Sequence, residues 1–449
     1  MADERDRDEA AGGEPPTRHA YPRDLTEVAL AVLRQRGDGV VASPLLDPAL
    51  LESLLSTAYQ ASLLRDEGRQ VIFRLLVAPP EALPDDGGPP NGLHALHFAE
   101  RRVCDVTELR RLAAAAPYHR ALIGVCIDGR GRPALWGVVH VGARWLRLQT
   151  GGRLAAPTLP RALVVSVGGP GRLEVELGDE PLVRLEAGRI GGTTLDVFAS
   201  HWLPRQFAPM RAELMAQHAA DRAAAGAPWA ALDESLIRGI GQHMVRQLLA
   251  VIRAARHGAT LLVVPPEAEA TLLAPDSFLH VHYRLVGDEG RRRYRTLILR
   301  IMNRIASTHA GPLAEAVGWA EYQHSASEEV AALDEALFEV SHLIAGFAAV
   351  DGAVLMTRSF ELLGFGAEIA GNLPDVPTVM RAADIEGRVR TAESTERVGT
   401  RHRSAYRLCQ AMPEALAVIV SQDGGVRFAC WQDGAVTYWH YLSGHLLAA

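Results

Sequence analysis

Two short clusters in the C-terminal part of the chain carry groups able to handle a phosphate ester. Gly399-Thr400-Arg401-His402-Arg403 sets two guanidinium groups and an imidazole in a row behind a residue that permits a tight turn. Guanidinium forks bind anionic oxygens in pairs, and imidazole donates to phosphate or ligates a metal according to its tautomer. A neighbouring glycine lets backbone N–H groups approach the same ligand. On charge alone, a solvated basic turn is the favoured reading of the tripeptide. Upstream, Asp351-Gly352-Ala353 places a carboxylate beside two small residues. Such a carboxylate can hold Mg²⁺ or Mn²⁺ and accept a proton from a hydroxyl nucleophile, while small neighbours admit a ligand close to the backbone. An isolated Asp-Gly also describes an ordinary turn.

Composition narrows the phosphate chemistry that is open. The chain of 449 residues has 46 basic residues of the Lys and Arg types, and all of them are arginine. A GC-rich genome accounts for that bias. Without lysine there can be no Walker-type phosphate loop, no protein-kinase site and no pyridoxal Schiff base. Phosphate must then be met by guanidinium forks, backbone amides or a metal. A net charge of −7 argues against nucleic acid or a membrane surface as a broad partner. The charged, Gly/Pro-rich start is unlike a signal peptide, and no apolar run reaches bilayer-spanning length. The expected location is therefore cytoplasmic. Cys104, Cys126, Cys409 and Cys430 show no CxxC spacing and read as reduced, buried thiols.

The length predicts more than one domain. We read residues 1–20 as disordered, 21–205 as a first α/β domain, 206–234 as a helical linker and 235–449 as a second α/β domain. In the first, periodicity predicts helices near Asp24–Arg36, Pro48–Leu64 and Val106–Ala116, the last capped by Asp105. Strands are expected at Val71–Val77, Ala95–Phe98, Ala121–Ile127 and Ala134–Val141, with a hairpin over Val164–Leu177. Val40–Ala42 is a short apolar stretch, and Pro79–Gly92 reads as a long loop. The second domain begins with an amphipathic helix, Ile237–Ala255, stopped by Gly258 as a left-handed cap before a buried strand, Thr260–Val264. A Ser325/Glu328 capping box opens a helix that continues to about Ala349 and runs into Asp351. Strands follow around Val354 and Leu363, then a Pro- and acid-rich loop, a short helix after Arg403, a strand over Ala415–Val420 and a final hairpin. His280 and His282 share one face of a strand without a third ligand in view, and Arg291–Arg293 reads as a solvated turn. Gly239-Ile240-Gly241 is too short for a dinucleotide fingerprint.

The two clusters gain weight from their order. A helix leading into DGAVLM, then LGFGAEI, GTRHRSA and ALAVIVSQDGG, resembles the diadenylate cyclase domain family from about residue 235 onward. His257-Gly258-Ala259-Thr260-Leu261-Leu262 also resembles that family's early strand. The resemblance implies a mixed-sheet catalytic domain flanked by helices that joins two ATP into cyclic di-AMP and releases pyrophosphate. It implies that Asp351 helps bind Mg²⁺ or Mn²⁺ and takes the proton of the attacking 3′-hydroxyl. Thr400, Arg401, His402, Arg403 and Ser404 would hold the triphosphate, with His402 also available to the metal. Gly352 and Ala353 would line the nucleotide, Leu373 would lie beside the base, and Ser421 would face the phosphates. A homodimer with facing cyclase domains is implied as well. The N-terminal domain resembles the sensor domains that precede some of these cyclases, its ligand unknown. Two departures stand out. Gln422 replaces the family's usual acid after the serine, and the interval from Asp351 to His402 includes an extra loop, Val376–Thr395, read as a lid or an occluding segment. The alternatives are a catalytically silent nucleotide-binding sensor or scaffold that keeps the fold, and a cyclase preferring another nucleotide.

Overall fold

A computed structural model describes residues 19–36, 47–83, 87–89, 92–142, 159–178, 180–191, 195–255, 257–309, 316–325, 327–369, 373–422 and 424–441. Of the residues 1–20 expected to be disordered, 1–18 lie outside the described residues, as does the stretch Val40–Ala42, while Ala20 N donates to Gly188 O at 2.7 Å. The chain builds two large sheets, one after the other, and each supports its own hydrophobic cores.

The N-terminal sheet has eight strands: β1 (Phe73–Val77), β2 (His94–Val103), β3 (Ala121–Ile127), β4 (Pro133–His140), β5 (Leu163–Gly169), β6 (Arg172–Leu177), β7 (Glu180–Glu186) and β8 (Arg189–Gly191). Their spatial order is β8-β7-β6-β5-β1-β3-β4-β2, with β1 and β3 parallel and the other neighbours antiparallel. Helices α1 (Pro22–Arg36), α2 (Pro48–Ser62) and α3 (Val106–Ala115) cover one face, where Leu25, Leu51, Leu55 and Leu109 meet Phe73, Val125 and Val165. Asp47 and Asp105 cap α2 and α3 through their carboxylates, the second as the sequence predicts.

The C-terminal sheet is mixed and nine-stranded, in the order β10-β12-β11-β9-β15-β16-β17-β13-β14. Its strands are β9 (Ala259–Val264), β10 (Leu279–Arg284), β11 (Ala353–Thr357), β12 (Leu362–Ile369), β13 (Thr378–Ala382), β14 (Arg390–Ser394), β15 (Leu416–Val420), β16 (Val426–Gln432) and β17 (Ala435–Tyr441). Strands β9, β11 and β15 are buried throughout, as continuous apolar runs in a sheet covered on both faces must be. One face carries α10 (Thr400–Ala411); the other carries α4 (Trp202–Gln206), α5 (Ala208–Ala224), α6 (Glu234–Ala254), α7 (Arg293–Thr308) and α9 (Glu328–Phe347), with α8 (Trp319–His324) against α6. Helix α7 shows how the layer holds. Tyr294, Leu297, Ile298, Ile301, Met302 and Ile305 recur at three- and four-residue steps and are all buried. Each such side chain contributes about 1.5–3 kcal/mol relative to exposure. A charged residue at Ile301 would break the layer at its centre.

Several expectations are corrected. Helix α9 is capped by Ser327, whose hydroxyl accepts from Val330 N, and not by a Ser325/Glu328 box. Gly258 does not adopt a left-handed conformation; α6 ends at Ala254 with an ordinary helical cap residue, Ala255. The Arg291–Arg293 turn is tied down, with Arg291 paired to Glu269 at 2.6 Å and Arg292 to Glu361 at 2.9 Å. The Val376–Thr395 segment is no loop: it is the antiparallel hairpin β13–β14, joined to the sheet by parallel pairing of β13 with β17. All four cysteines are free, and burial pushes each thiol up, Cys104 and Cys430 to about 12. Among the described residues, no helix is long and apolar enough to cross a membrane.

Candidate functional site

Strand register brings the two sequence clusters to one end of the C-terminal sheet. Leu261 pairs with Val354, so the parallel strands β9 and β11 start side by side. Ala259 pairs with Val420, which sets the end of antiparallel β15 next to those starts. Ala353 pairs with Ala367, which adds the end of β12. Gly258, Asp351-Gly352, Ser421 and Glu368 therefore stand along one end of four adjacent strands.

Backbone geometry explains the small residues there. Gly352 has φ +106°, and a Cβ on it would lie 2.7 Å from the carbonyl carbon of Gly366. Neither condition admits a side chain. Asp351 precedes the first residue of β11 and is exposed to solvent, while the register with β12 slips beyond Ala353.

Helix α10 delivers the second cluster. Its N-cap is Gly399, in extended conformation and without a side-chain cap, so the positive end of this helix is left for a ligand. Thr400 and Arg403 are exposed, while Arg401, His402 and Ser404 are half-buried. Arg401 Nη1 occupies the space that a Gly258 side chain would need, and Val420 O lies 3.2 Å from the ideal Cβ position there. Arg401 is thus packed against the strand end next to Asp351-Gly352. Ser421 sits half-buried in the β15–β16 turn, its N–H donating to Gly425 O at 2.8 Å, and Gln422 is exposed. Leu373 is half-buried in the loop before β13, where Asp375 pairs with Arg407 of α10 and so links that loop to the helix.

The underside of α10 fixes its position. Ala405, Tyr406, Leu408 and Cys409 are buried against the sheet. Tyr406 Oη accepts from Arg427 Nη1 at 3.2 Å; Arg427 lies 4.8 Å over the Tyr438 ring, and Tyr438 donates to Glu393. Glu393 pairs with Arg381 at 3.0 Å. Burial pushes the Tyr406 hydroxyl above its usual pKa against the opposing pull of Arg427, so it stays a neutral partner. The network runs from α10 to the β13–β14 hairpin. None of its members is marked by a sequence motif, because each contact joins positions far apart in the chain.

Sequence reading also missed Gly258 as part of the site. A glycine after a helix looks like a stop signal, and only the fold shows the guanidinium beside it. His280 and His282 lie on edge strand β10, their rings 4.7 Å apart, with His282 Nε2 3.3 Å from Glu368 Oε1. The described residues contain no group of three or more His, Cys, Asp or Glu side chains that could hold a metal ion. Asp351 supplies one exposed carboxylate. That donor set suits a hard divalent ion taking most of its oxygens from nucleotide phosphates and water.

Residues 41–140, which include β1 to β4, match the sequence model of the family described as "Probable sensor domain DACNV". No curated protein and no solved structure matches the chain. The N-terminal stretch thus carries a sensor-domain signature, and the C-terminal sheet stands on its own geometry.

Proposed function

We propose that the chain is a diadenylate cyclase whose C-terminal sheet condenses two ATP into cyclic di-AMP under the control of the N-terminal sensor unit. The observation that carries this reading is the seating of Arg401, at the uncapped start of α10, against Gly258 on the same strand end as Asp351-Gly352. A carboxylate beside a bare backbone and a cationic helix start are the two halves that phosphoryl transfer requires, since that chemistry consists largely of positioning and charge neutralisation. The sensor-domain match at 41–140 supports the regulatory half.

On this reading Arg401, Arg403 and the N–H groups of the first turn of α10 hold the triphosphate, while Thr400, His402, Ser404 and Ser421 add hydrogen bonds. Gly352 and Ala353 let the nucleotide lie against the backbone, and Leu373 packs beside the base. Asp351 accepts the proton of a 3′-hydroxyl as that oxygen bonds to the α-phosphorus of the second ATP. The bond to the β-phosphate oxygen breaks, and pyrophosphate leaves. The reaction repeated in the other direction closes the ring, so two chains must face each other. Mg²⁺ or Mn²⁺ held by Asp351 and the phosphates would neutralise the developing charge.

One observation favours a second reading. Exposed Gln422 stands at the turn where the family resemblance calls for an acid, which fits a nucleotide-binding scaffold without turnover. Incubating the purified full chain with ATP and Mn²⁺ or Mg²⁺, with chromatography of the products, separates the two. Cyclic di-AMP is the expected product. ATP binding without product at any protein concentration would overturn the cyclase reading and leave the scaffold, and parallel incubation with GTP checks nucleotide preference.

A further inference from the structure

On the face of the C-terminal sheet opposite α10, a pocket opens between the strands and helices α4, α5 and α6. Its volume is about 70 Å³, and its surface is almost entirely apolar. Leu261, Met356 and Val418 form the floor, and Phe207, Met244 and Phe360 stand around it. Gly241, in the middle of α6, lines this space. A Cβ built there meets nothing closer than the Phe360 ring at 3.7 Å, an ordinary contact distance. Glycine inside a helix and an unfilled apolar gap both lower stability. The chain therefore keeps open a space that a single methyl group would begin to close.

The polar groups at this pocket are few, and those that carry charge are cationic. Arg211, Arg238 and Gln242 line it. Gln242 Nε2 is already engaged with Phe198 O at 2.8 Å, and Arg211 Nη1 donates to Pro204 O at 2.6 Å. Among the described residues neither guanidinium has a carboxylate within ion-pair distance, although Glu234 attracts Arg211 from farther away. Two cationic forks beside a dry apolar cavity select a molecule with one anionic end and a hydrocarbon body. A planar carboxylate matches a guanidinium fork bidentately.

We propose that this pocket binds a straight-chain carboxylate, its tail between α6 and the sheet and its head at Arg211 and Arg238. A dry cavity of about 150 Å³ admits benzene, so this smaller one takes the end of an alkyl chain whose remainder lies in the mouth, about six to eight carbons in all. The occupant would touch α4 and α5, which follow the N-terminal unit, and also β9, β11 and β15, which carry the candidate nucleotide site. The binding claim does not depend on cyclase activity.

Octanoate, below its micelle-forming concentration, is the probe, titrated calorimetrically into the full chain and tested for a shift in thermal unfolding. Saturable binding of one molecule per chain is expected, with a raised Tm, and about ten-fold or weaker binding of octyltrimethylammonium. Arg238→Gln and Arg211→Gln should each weaken octanoate binding about five-fold or more. Gly241→Leu should fill the pocket and abolish binding; Gly241→Ala, whose added atom has room, should fold at least as well as the natural chain and bind more weakly. The proposal is overturned if octanoate shows no saturable binding, if the cationic analogue binds equally, or if Gly241→Ala and Gly241→Leu both bind like the natural chain.

Discussion

At Gly258 and Gly352 the same added methyl group would meet different atoms. At Gly352 it would press on the Gly366 backbone under a positive φ, so Gly352→Ala should cost about 1–3 kcal/mol of stability and lower the Tm. At Gly258 it would meet the far end of the Arg401 side chain, which can swing away, and lie 3.2 Å from Val420 O, which must give by only a few tenths of an ångström. Gly258→Ala should therefore leave the Tm nearly unchanged while weakening ATP binding about ten-fold, as a misplaced guanidinium would. A titration of ATP into both variants, beside their unfolding curves, distinguishes the two effects; equal Tm losses would refute the distinction. Asp351→Asn keeps the shape of an exposed side chain and removes its basicity. We expect folding and most ATP binding to survive and cyclic di-AMP formation to fall at least about a thousand-fold, and retained turnover would remove Asp351 from its assigned role. Asp351 and Arg401 were legible because their neighbours in sequence are also their neighbours in space. Gly258 was not, since the group that explains it lies on a helix far along the chain.

Among the secondary-structure elements, the β13–β14 hairpin was the one least visible in sequence. Its strands are five residues each, partly exposed, and flanked by prolines and acids, so they lack the apolar alternation that marks a half-buried strand. What makes them a sheet is pairing with β17, which comes later in the chain. The buried runs of β9, β11 and β15 needed no such partner to be recognised. Asp384 organises the hairpin's turn. Partial burial works against its charge, yet the N–H groups of Val389, Arg388, Glu386 and Gly387 hold its pKa below the usual carboxylate value. A depressed pKa contributes stability above the unfolded value near 3.9, and that contribution is lost as pH falls through the folded value. Asp384→Ala should cost about 0.5–2 kcal/mol at neutral pH, and the gap to the natural chain should close below about pH 4. Thermal unfolding of both proteins across that range checks it; a gap that persists in acid would mean that the carboxylate's charge is not what the turn uses.

For the molecule as a whole, packing shows where a stable fragment carrying the C-terminal sheet has to begin. Val197, Phe198, Leu203, Met210 and Leu214 belong to the same core as Phe428, Trp439 and Tyr441. Trp202 stacks on Trp439 at 4.4 Å and donates to Ile385 O. A fragment starting at Asp196 should be soluble with a cooperative unfolding transition, whereas one starting at Glu234, the first residue of α6, exposes that surface and should aggregate. Size-exclusion chromatography of the two decides the matter. The proposed reaction would need two facing sheets, so specific activity of the full chain should rise with protein concentration and level off once dimers dominate; activity strictly proportional to concentration down to nanomolar levels would argue for a dimer already formed.

The pinning of Trp202 also limits how far the two units can separate. Five residues lie between the end of β8 at Gly191 and Val197 in the C-terminal core. Even fully extended, so short a tether reaches only about 20 Å. If two C-terminal sheets meet as the proposed reaction requires, they would bring two N-terminal units into a shared small volume, at an effective concentration on the order of millimolar. Sensors that ignore one another in dilute solution would still meet there, and an attraction or repulsion of a few kilocalories between them, switched by a ligand, would set how often the sheets face each other.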